Sequence, residues 1–328
     1  MRHLILTGAC YVDTILDVPH YPQEDAKLRA TAVRVRRGGN CPNSLEVLQQ
    51  LLAAGDDVDN VATYLVSCLP EIDAPATQMI IDSMAGPAGS AEPPGTTTTT
   101  RRPNCDHCLY RAGHTTPASS YIVRAAATGS RTIVNHNALP EMTAAEFAGV
   151  VSRFEATTAE NDNDDDDTWW HFEGRVPDVT LACIQHLRRR RRRATVSVEV
   201  EKPQRAGLRA LAAEADVVFY SKTWAEVRFS SLAEDLPSTD PANGAQDQGY
   251  ASAEACVQGE AAQTPRARLL FCTTVGAGDT FVAGVLYKLA CQRRAPAADV
   301  DIQATLAFAV DLATRKVHID GFQGLAGG

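Results

Sequence analysis

The 328-residue sequence predicts an α/β chain: a mostly parallel sheet sandwiched by helices, with a small antiparallel sheet beside it. Three observations carry this. Short apolar runs of strand length alternate with segments of helical period along most of the chain. The stretch from Leu28 to Arg36 alternates apolar and polar residues with a period of two, the pattern of a strand exposed on one face. Near the carboxyl end a Gly-Ala-Gly turn (Gly276-Ala277-Gly278) joins a strand to an apolar helix.

Composition bounds the answer. At 45% hydrophobic, the chain can bury a full core as one domain, 1–328. A net charge of −9 excludes general binding to nucleic acid or anionic membranes. No apolar run has the length of a transmembrane helix, and Arg2 to Leu6 is too brief for a signal peptide. Nine scattered cysteines read as reduced thiols of a cytoplasmic protein. Cys105-Asp106-His107-Cys108 has metal-like spacing without a second ligand pair nearby, so no metal ligand is assigned.

The elements follow in order. Leu4 to Gly8 is a first strand ending in a turn, after which Asp13 stands where open α/β sheets bind ligands. Arg37-Gly38-Gly39-Asn40 ends the alternating strand, and a helix begins near Pro42-Asn43 with Leu45, Leu48, Leu51 and Leu52 on one face. Val61 to Leu69 is a buried strand and Ala76 to Met84 a short helix. Residues 86–104, rich in Gly, Pro and Thr, read as a surface insertion. Leu109 to Arg111, Ser120 to Arg124 and Arg131 to His136 read as antiparallel strands, the last two joined at Thr128-Gly129-Ser130. With the alternating strand they form a lid drawn from about 14–37 and 105–136.

Residues 160–167 are acidic but lack the glycine and terminal glutamate of a calcium loop, so they read as a solvated insertion. Trp169 to Arg175 is a buried strand that ends in polar residues, Glu173 among them. A helix from Asp178 to Leu187 precedes six arginines, 188–193, read as a charged loop insertion. Thr195 to Val200 is a strand that places Glu199 and Glu201 on one face, and Val217 to Lys222 is another core strand. Residues 230–267 hold no run of four apolar residues and show no strand. Leu269 to Cys272 is a short buried strand, and Thr280 to Cys291 a helix that buries Phe281, Val282, Val285, Leu286 and Leu289. The last helix, Ile302 to Lys316, presents Leu306, Ala309, Val310 and Ala313 on one face, and His318 to Gly324 forms a Gly-rich turn.

Chemistry concentrates at Thr274-Val275-Gly276-Ala277-Gly278-Asp279-Thr280. Bare glycine backbone lets a ligand approach closely, and the helix start aims unpaired N–H groups at it, which suits phosphate. Asp279 is then out of place unless it takes a proton from the group that attacks the phosphate. A phosphate nest with a base at its rim is the signature of phosphoryl transfer.

This stretch resembles the second signature of the PfkB (ribokinase-like) carbohydrate kinases, Asp-Thr-x-Gly-Ala-Gly-Asp, from Thr274 to Asp279, with Thr273 where the family has Asp. Asp13, Gly38-Gly39-Asn40 and Asn43 follow the order of the first signature. His171-x-Glu173-Gly174-Arg175, Arg131 to Val134 and Val196 to Pro203 resemble the ketohexokinase-like (fructokinase) branch, and the resemblance covers most of the chain outside the insertions. It implies a ribokinase-like fold and transfer of the terminal phosphate of ATP, with Mg2+, to a ketose, fructose at its C1 hydroxyl. It gives Asp279 the role of base, with the Gly276, Ala277 and Gly278 backbone around the phosphoryl group. Asp13, Gly39, Asn40, Asn43, Arg131 and Glu173 bind the sugar, and Thr274, Gly276, Gly278 and Gly244 the nucleotide. A homodimer through the lid is implied as well. Ribose or nucleoside kinases share the phosphate site, and a non-catalytic sugar-binding member would share the fold. A nicotinamide enzyme is disfavoured by Phe281 where a third glycine should stand, and the absence of any Gly-Lys pair excludes a P-loop.

Overall fold

A computed structural model describes residues 1–55, 61–84, 102–158, 168–226, 253–261, 264–272, 277–291 and 301–326. The chain opens with β1 (Arg2–Thr7), passes through β2 (Tyr11–Val18) and β3 (Ala32–Gly38), and enters α1 (Asn40–Ala54). β4 (Val61–Val66), β5 (Cys68–Pro70) and α2 (Pro75–Ser83) follow, then β6 (Leu109–Arg111), β7 (Ser119–Ala125) and β8 (Arg131–His136). Next come α3 (Ala144–Thr158), β9 (Thr168–Glu173), α4 (Pro177–Arg190), β10 (Thr195–Val200), α5 (Leu208–Ala213) and β11 (Val217–Tyr220). The remainder comprises α6 (Lys222–Glu226), α7 (Ala253–Ala261), β12 (Leu269–Cys272), α8 (Gly278–Leu286), a π-helical turn (Tyr287–Cys291) and α9 (Ile302–Val317).

Among the described residues six strands form the main sheet in the order β12-β11-β10-β9-β1-β4, every pair parallel. Parallel strands need crossovers and are covered on both faces, which is why they read as unbroken apolar runs. One face packs on α1, α8, the π-helical turn and α9 through Leu45, Leu48, Phe281, Leu286 and Leu312. The other packs on α3, α4 and α5 through Phe147, Phe154, Leu187 and Leu211, with Trp170 and Val198 contributed by the sheet.

The lid is a separate four-stranded sheet, β3-β2-β7-β8. Its outer pairs are antiparallel and its central pair, β2 with β7, is parallel. Registers align Arg36, Asp13, Ser120 and Asn135 in one row, and Val35, Thr14, Tyr121 and Val134 in the next. Successive residues point to opposite faces, so the first row looks into the cleft and the second away from it. Asp13 therefore sits mid-strand in the lid rather than in a turn after β1.

Several expectations are corrected. Leu109–Arg111 is not a lid strand. It pairs in parallel with β5, because backbone bonds tie the segment to the edge of β4: Asn104 N–H donates to Thr63 O and Leu65 N–H to Asn104 O, while buried Cys108 anchors it to the core. The arginine run is not an inserted loop. Arg188 to Arg190 form the last turn of α4, where cations suit the helix dipole. Arg188 donates to Asp216 at 2.8 Å and to the carbonyls of Ala194 and Glu214, Arg190 to Glu155, and buried Arg191 covers the Phe154 ring.

The last helix is rotated from its expected face. Thr305, Ala309, Leu312 and Ala313 are buried, whereas Leu306 and Val310 stand 36% and 41% exposed. The cause is close packing on α8, where a Cβ at Gly284 would lie 3.0 Å from the Ala309 Cα. A helix, α7, occupies part of the 230–267 region in which none was expected. The 160–167 insertion, most of the 86–104 one, Gly244, and Thr273 to Gly276 lie outside the described residues.

Candidate active site

The site begins where the carboxyl ends of β1, β9 and β10 meet the amino ends of α1 and α8 beneath the lid. At Gly39 the backbone takes φ 104°, and a Cβ there would come within 2.2 Å of the Ala9 carbonyl oxygen, so only glycine lets the chain turn from β3 into α1. That turn sets Asn40 and Asn43 on the first turn of α1, facing the first turn of α8. Asn43 Nδ2 donates to Asp279 Oδ2 at 2.8 Å, and Ser44 Oγ donates to the Asp279 carbonyl at 2.9 Å. Buried Arg37 supports Asn43 from behind, donating to its Oδ1 at 3.1 Å and pairing with Glu46.

Carboxylates crowd the same floor. Glu173 Oε2 accepts the Ala9 N–H at 2.8 Å. Glu199 accepts from Asn40 Nδ2 at 3.0 Å and lies 2.9 Å from His171 Nε2. Burial first, then the neighbouring Glu199, pushes the Asp279 carboxyl up to about 8, against a smaller downward pull from Asn43. Glu173 rises to about 7 for the same two reasons. Asp13 is raised by burial, opposed by its hydrogen bond to Ser120 and by Arg36, Arg37 and Arg131.

A cleft of about 1240 Å³ runs over these groups. Asp13, Gly39, Asn40, Asn43, Arg131, Glu173, Ala277, Gly278 and Asp279 all line it. Thr274, Gly276 and Gly244 lie outside the described residues; of the Gly-rich turn, Ala277, Gly278 and Asp279 are described, the last two opening α8. Space opens at Gly278, where a Cβ would meet nothing within 4 Å. Sequence reasoning noticed Glu199 and Glu201 as two acids on one strand face but gave them no role, and it missed His171 and Ser120. The two acids carried a usable signal, since charged residues are uncommon on an otherwise buried strand. His171 carried none, because its partners are 26 and 28 residues away in sequence.

The terminal segment closes the far wall. Asp320 pairs with Arg34 of β3, and Arg36 and Arg124 lie 3.8 Å from its carboxylate. Lys316 faces the same space and caps the Phe322 ring at 4.8 Å.

With this geometry in view, the comparisons with known proteins become informative. No family model matches the chain. A mouse (Mus musculus) ketohexokinase is 27% identical over 355 residues, spanning 99% of both chains. Ribokinase from Giardia lamblia superposes with a TM-score of 0.66 at 15% identity, covering 99% of this chain and 95% of that one. Arabidopsis thaliana ribokinase, solved with ribose and ATP, gives 0.60 at 14% identity over 98% and 94%. The chain thus has the ribokinase-like fold of these solved sugar kinases and is similar along its whole length to a ketohexokinase.

Proposed function

We propose that the chain is an ATP-dependent sugar kinase whose substrate is a ketose, fructose at its primary C1 hydroxyl. The observation that carries this is the Asn43–Asp279 hydrogen bond. It joins the polar floor of α1 to the amino end of α8, so one cleft holds polyol-binding groups on one side and an anion-suited helix start on the other. Asp13, Asn40 and Asn43 offer acceptors and donors to sugar hydroxyls. Asn40 spends its N–H on Glu199, which leaves its Oδ1 to accept a hydroxyl proton. Arg131 and Glu173 border the same space.

In the reaction, Asp279 takes the proton of the sugar hydroxyl as that oxygen forms its bond to the terminal phosphorus and the bond to the leaving diphosphate breaks. The backbone N–H groups at Ala277, Gly278 and Asp279 face the transferring group in this reading, with Gly276 as the remaining residue assigned to it. Thr274, Gly276 and Gly244 complete the nucleotide side in this reading. The cleft fits ATP and Mg2+ on its own residues: Lys202, Arg205 and Lys222 supply positive charge, and Glu201 supplies hard oxygen donors. Glu201 would hold Mg2+ beside the donor phosphates, where the ion would supply charge neutralisation as the terminal phosphate transfers. Positioning can lower the barrier by roughly 7–11 kcal/mol. One helix end contributes only about 0.3–1 kcal/mol. Lid closure over an ordered sugar is therefore the larger effect, and it excludes water that would hydrolyse the donor.

The lid supports a homodimer. Its outer face carries Val33 and Val35 at 60% exposure, Tyr121 at 50% and Val134 at 62%, an apolar sheet surface of the kind that a second subunit covers. Among the described residues no helix is long and apolar enough to cross a membrane.

The deciding experiment follows ATP consumption with fructose, ribose, a nucleoside or no acceptor, and weighs the product. Fructose-dependent turnover that yields a monophosphate at C1 is expected. Turnover only with ribose or a nucleoside removes the ketose assignment, and sugar binding without ATP consumption removes the kinase assignment.

A further inference from the structure

Beneath the sugar side of the cleft lies a cluster for which phosphoryl transfer has no evident use. Cys41 Sγ, His171 Nε2 and a Glu199 carboxylate oxygen come from α1, β9 and β10 and lie within 4.8 Å of one another, all buried. We propose that these three side chains form a site for a thiophilic divalent cation, Zn2+ in the first instance, distinct from the magnesium that accompanies a nucleotide.

The donor set is the first argument. Thiolate, imidazole and carboxylate are together a zinc-type set, whereas magnesium takes oxygen and does not compete for sulfur. Spacing is the second. The His171 nitrogen and the Glu199 oxygen lie 2.9 Å apart. Ligands of a tetrahedral zinc ion stand about 3.3 Å apart, so this nitrogen and oxygen part by a few tenths of an ångström while the Cys41 sulfur, within 4.8 Å of both, closes on the ion.

The surroundings of His171 are the third argument. Trp169 Nε1, which can only donate, gives its hydrogen to Ser197 Oγ at 2.8 Å. The same Oγ lies 2.9 Å from His171 Nδ1. With no ion present, the serine proton points to Nδ1 and the ring donates from Nε2 to Glu199. With an ion present, the ring shifts its proton to Nδ1, Ser197 accepts it on its second lone pair, and Nε2 is released to the metal. A ligating histidine held through its other nitrogen by a fixed polar partner is the usual outer support of a metal site. Glu199 and Asn40 both line the cleft, which gives the ion its route.

Binding releases the thiol proton to solvent and draws Glu199 toward the metal, away from Asn40. The site therefore couples metal occupancy to the sugar-binding floor, and zinc becomes an inhibitor that competes with sugar. That consequence rests on the kinase reading, but the site itself does not.

The test uses the full-length, metal-free chain titrated with Co2+ as a spectroscopic probe. Expected is one equivalent bound with a thiolate-to-cobalt charge-transfer band and the visible bands of a four-coordinate ion, both displaced by Zn2+. Cys41→Ala should lose the charge-transfer band while keeping its circular dichroism, with Cys41→Ser as the second variant should alanine disturb folding. Ser197→Ala should keep the band and weaken binding about 10–100-fold. A wild-type chain without a thiolate band overturns the site, as does an unchanged band in both Cys41 variants, which would assign the thiolate elsewhere. No nucleotide or turnover enters the measurement, so its failure is separable from failure of the kinase reading.

Discussion

Asp279 carries two opposed consequences of its surroundings. Its carboxyl is raised from an ordinary value of 3.8 to about 8 by burial and by Glu199, so the base is half or less ionised at neutral pH in the sugar-free chain. Turnover per encounter (kcat/KM) should climb with pH and level off above about 8. Glu199→Gln removes the strongest of the raising charges and should shift that rise to lower pH, which a pH series on both proteins reads directly. Asp279→Asn keeps the shape and the Asn43 contact but cannot accept the proton, and a loss of about 10²–10⁴ in kcat is expected. Stability responds in the reverse sense. A carboxyl whose folded value is raised contributes fully below its ordinary value of 3.8, and loses that contribution as pH rises toward about 8. The Asn variant should therefore melt higher than wild type above pH 8, with the difference vanishing in acid; a melting series that shows the opposite slope would contradict this account. At this scale much of the site was legible in residue types, because Asp13, Asn40, Asn43 and Asp279 are polar groups beside Gly-rich turns. Glu199 showed only as an acid on a buried strand, and His171 not at all, since its meaning lies in contacts between strands that only the folded sheet brings together.

Among the elements, α9 shows where periodicity misleads. Two apolar stripes overlap on this helix, and the helical pattern alone cannot choose between Leu306 with Val310 and Leu312 with Ala313. Gly284 decides, because its missing side chain lets α9 approach α8 along the Ala309 row. Gly284→Val should push the helices apart and cost about 1–3 kcal/mol in chemical unfolding, without altering the pH profile of whatever activity remains. The lid was read more securely, since strict alternation in β3 separates charged from apolar residues whatever the partner strands are. Its parallel central pairing was not legible, because register and direction are set by loops rather than by the strands. The arginine run was misread for a related reason: six like charges look solvated in sequence, yet Asp216, Glu155 and the Phe154 ring receive three of them.

For the whole molecule, the two faces of the lid join the proposed active site to the proposed dimer contact. The inner face carries Asp13, Arg36 and Arg131 toward the cleft, and the outer face leaves Val33, Val35, Tyr121 and Val134 in water. Val35→Arg should place a charge in the subunit contact of the proposed dimer. A mass measurement in solution is expected to read a dimer for wild type and a monomer for the variant, and a wild-type monomer would remove the dimer reading. The sheet order has a further implication for biosynthesis. β1 emerges from the ribosome first but sits between β4 and β9, so one of its edges waits for Thr168–Glu173 to be translated. Asp279 comes later still. A nascent chain that has reached Val200 already holds every residue proposed to face the sugar but not the proposed base, so on that reading the sugar half of the pocket is translated well before its phosphoryl half.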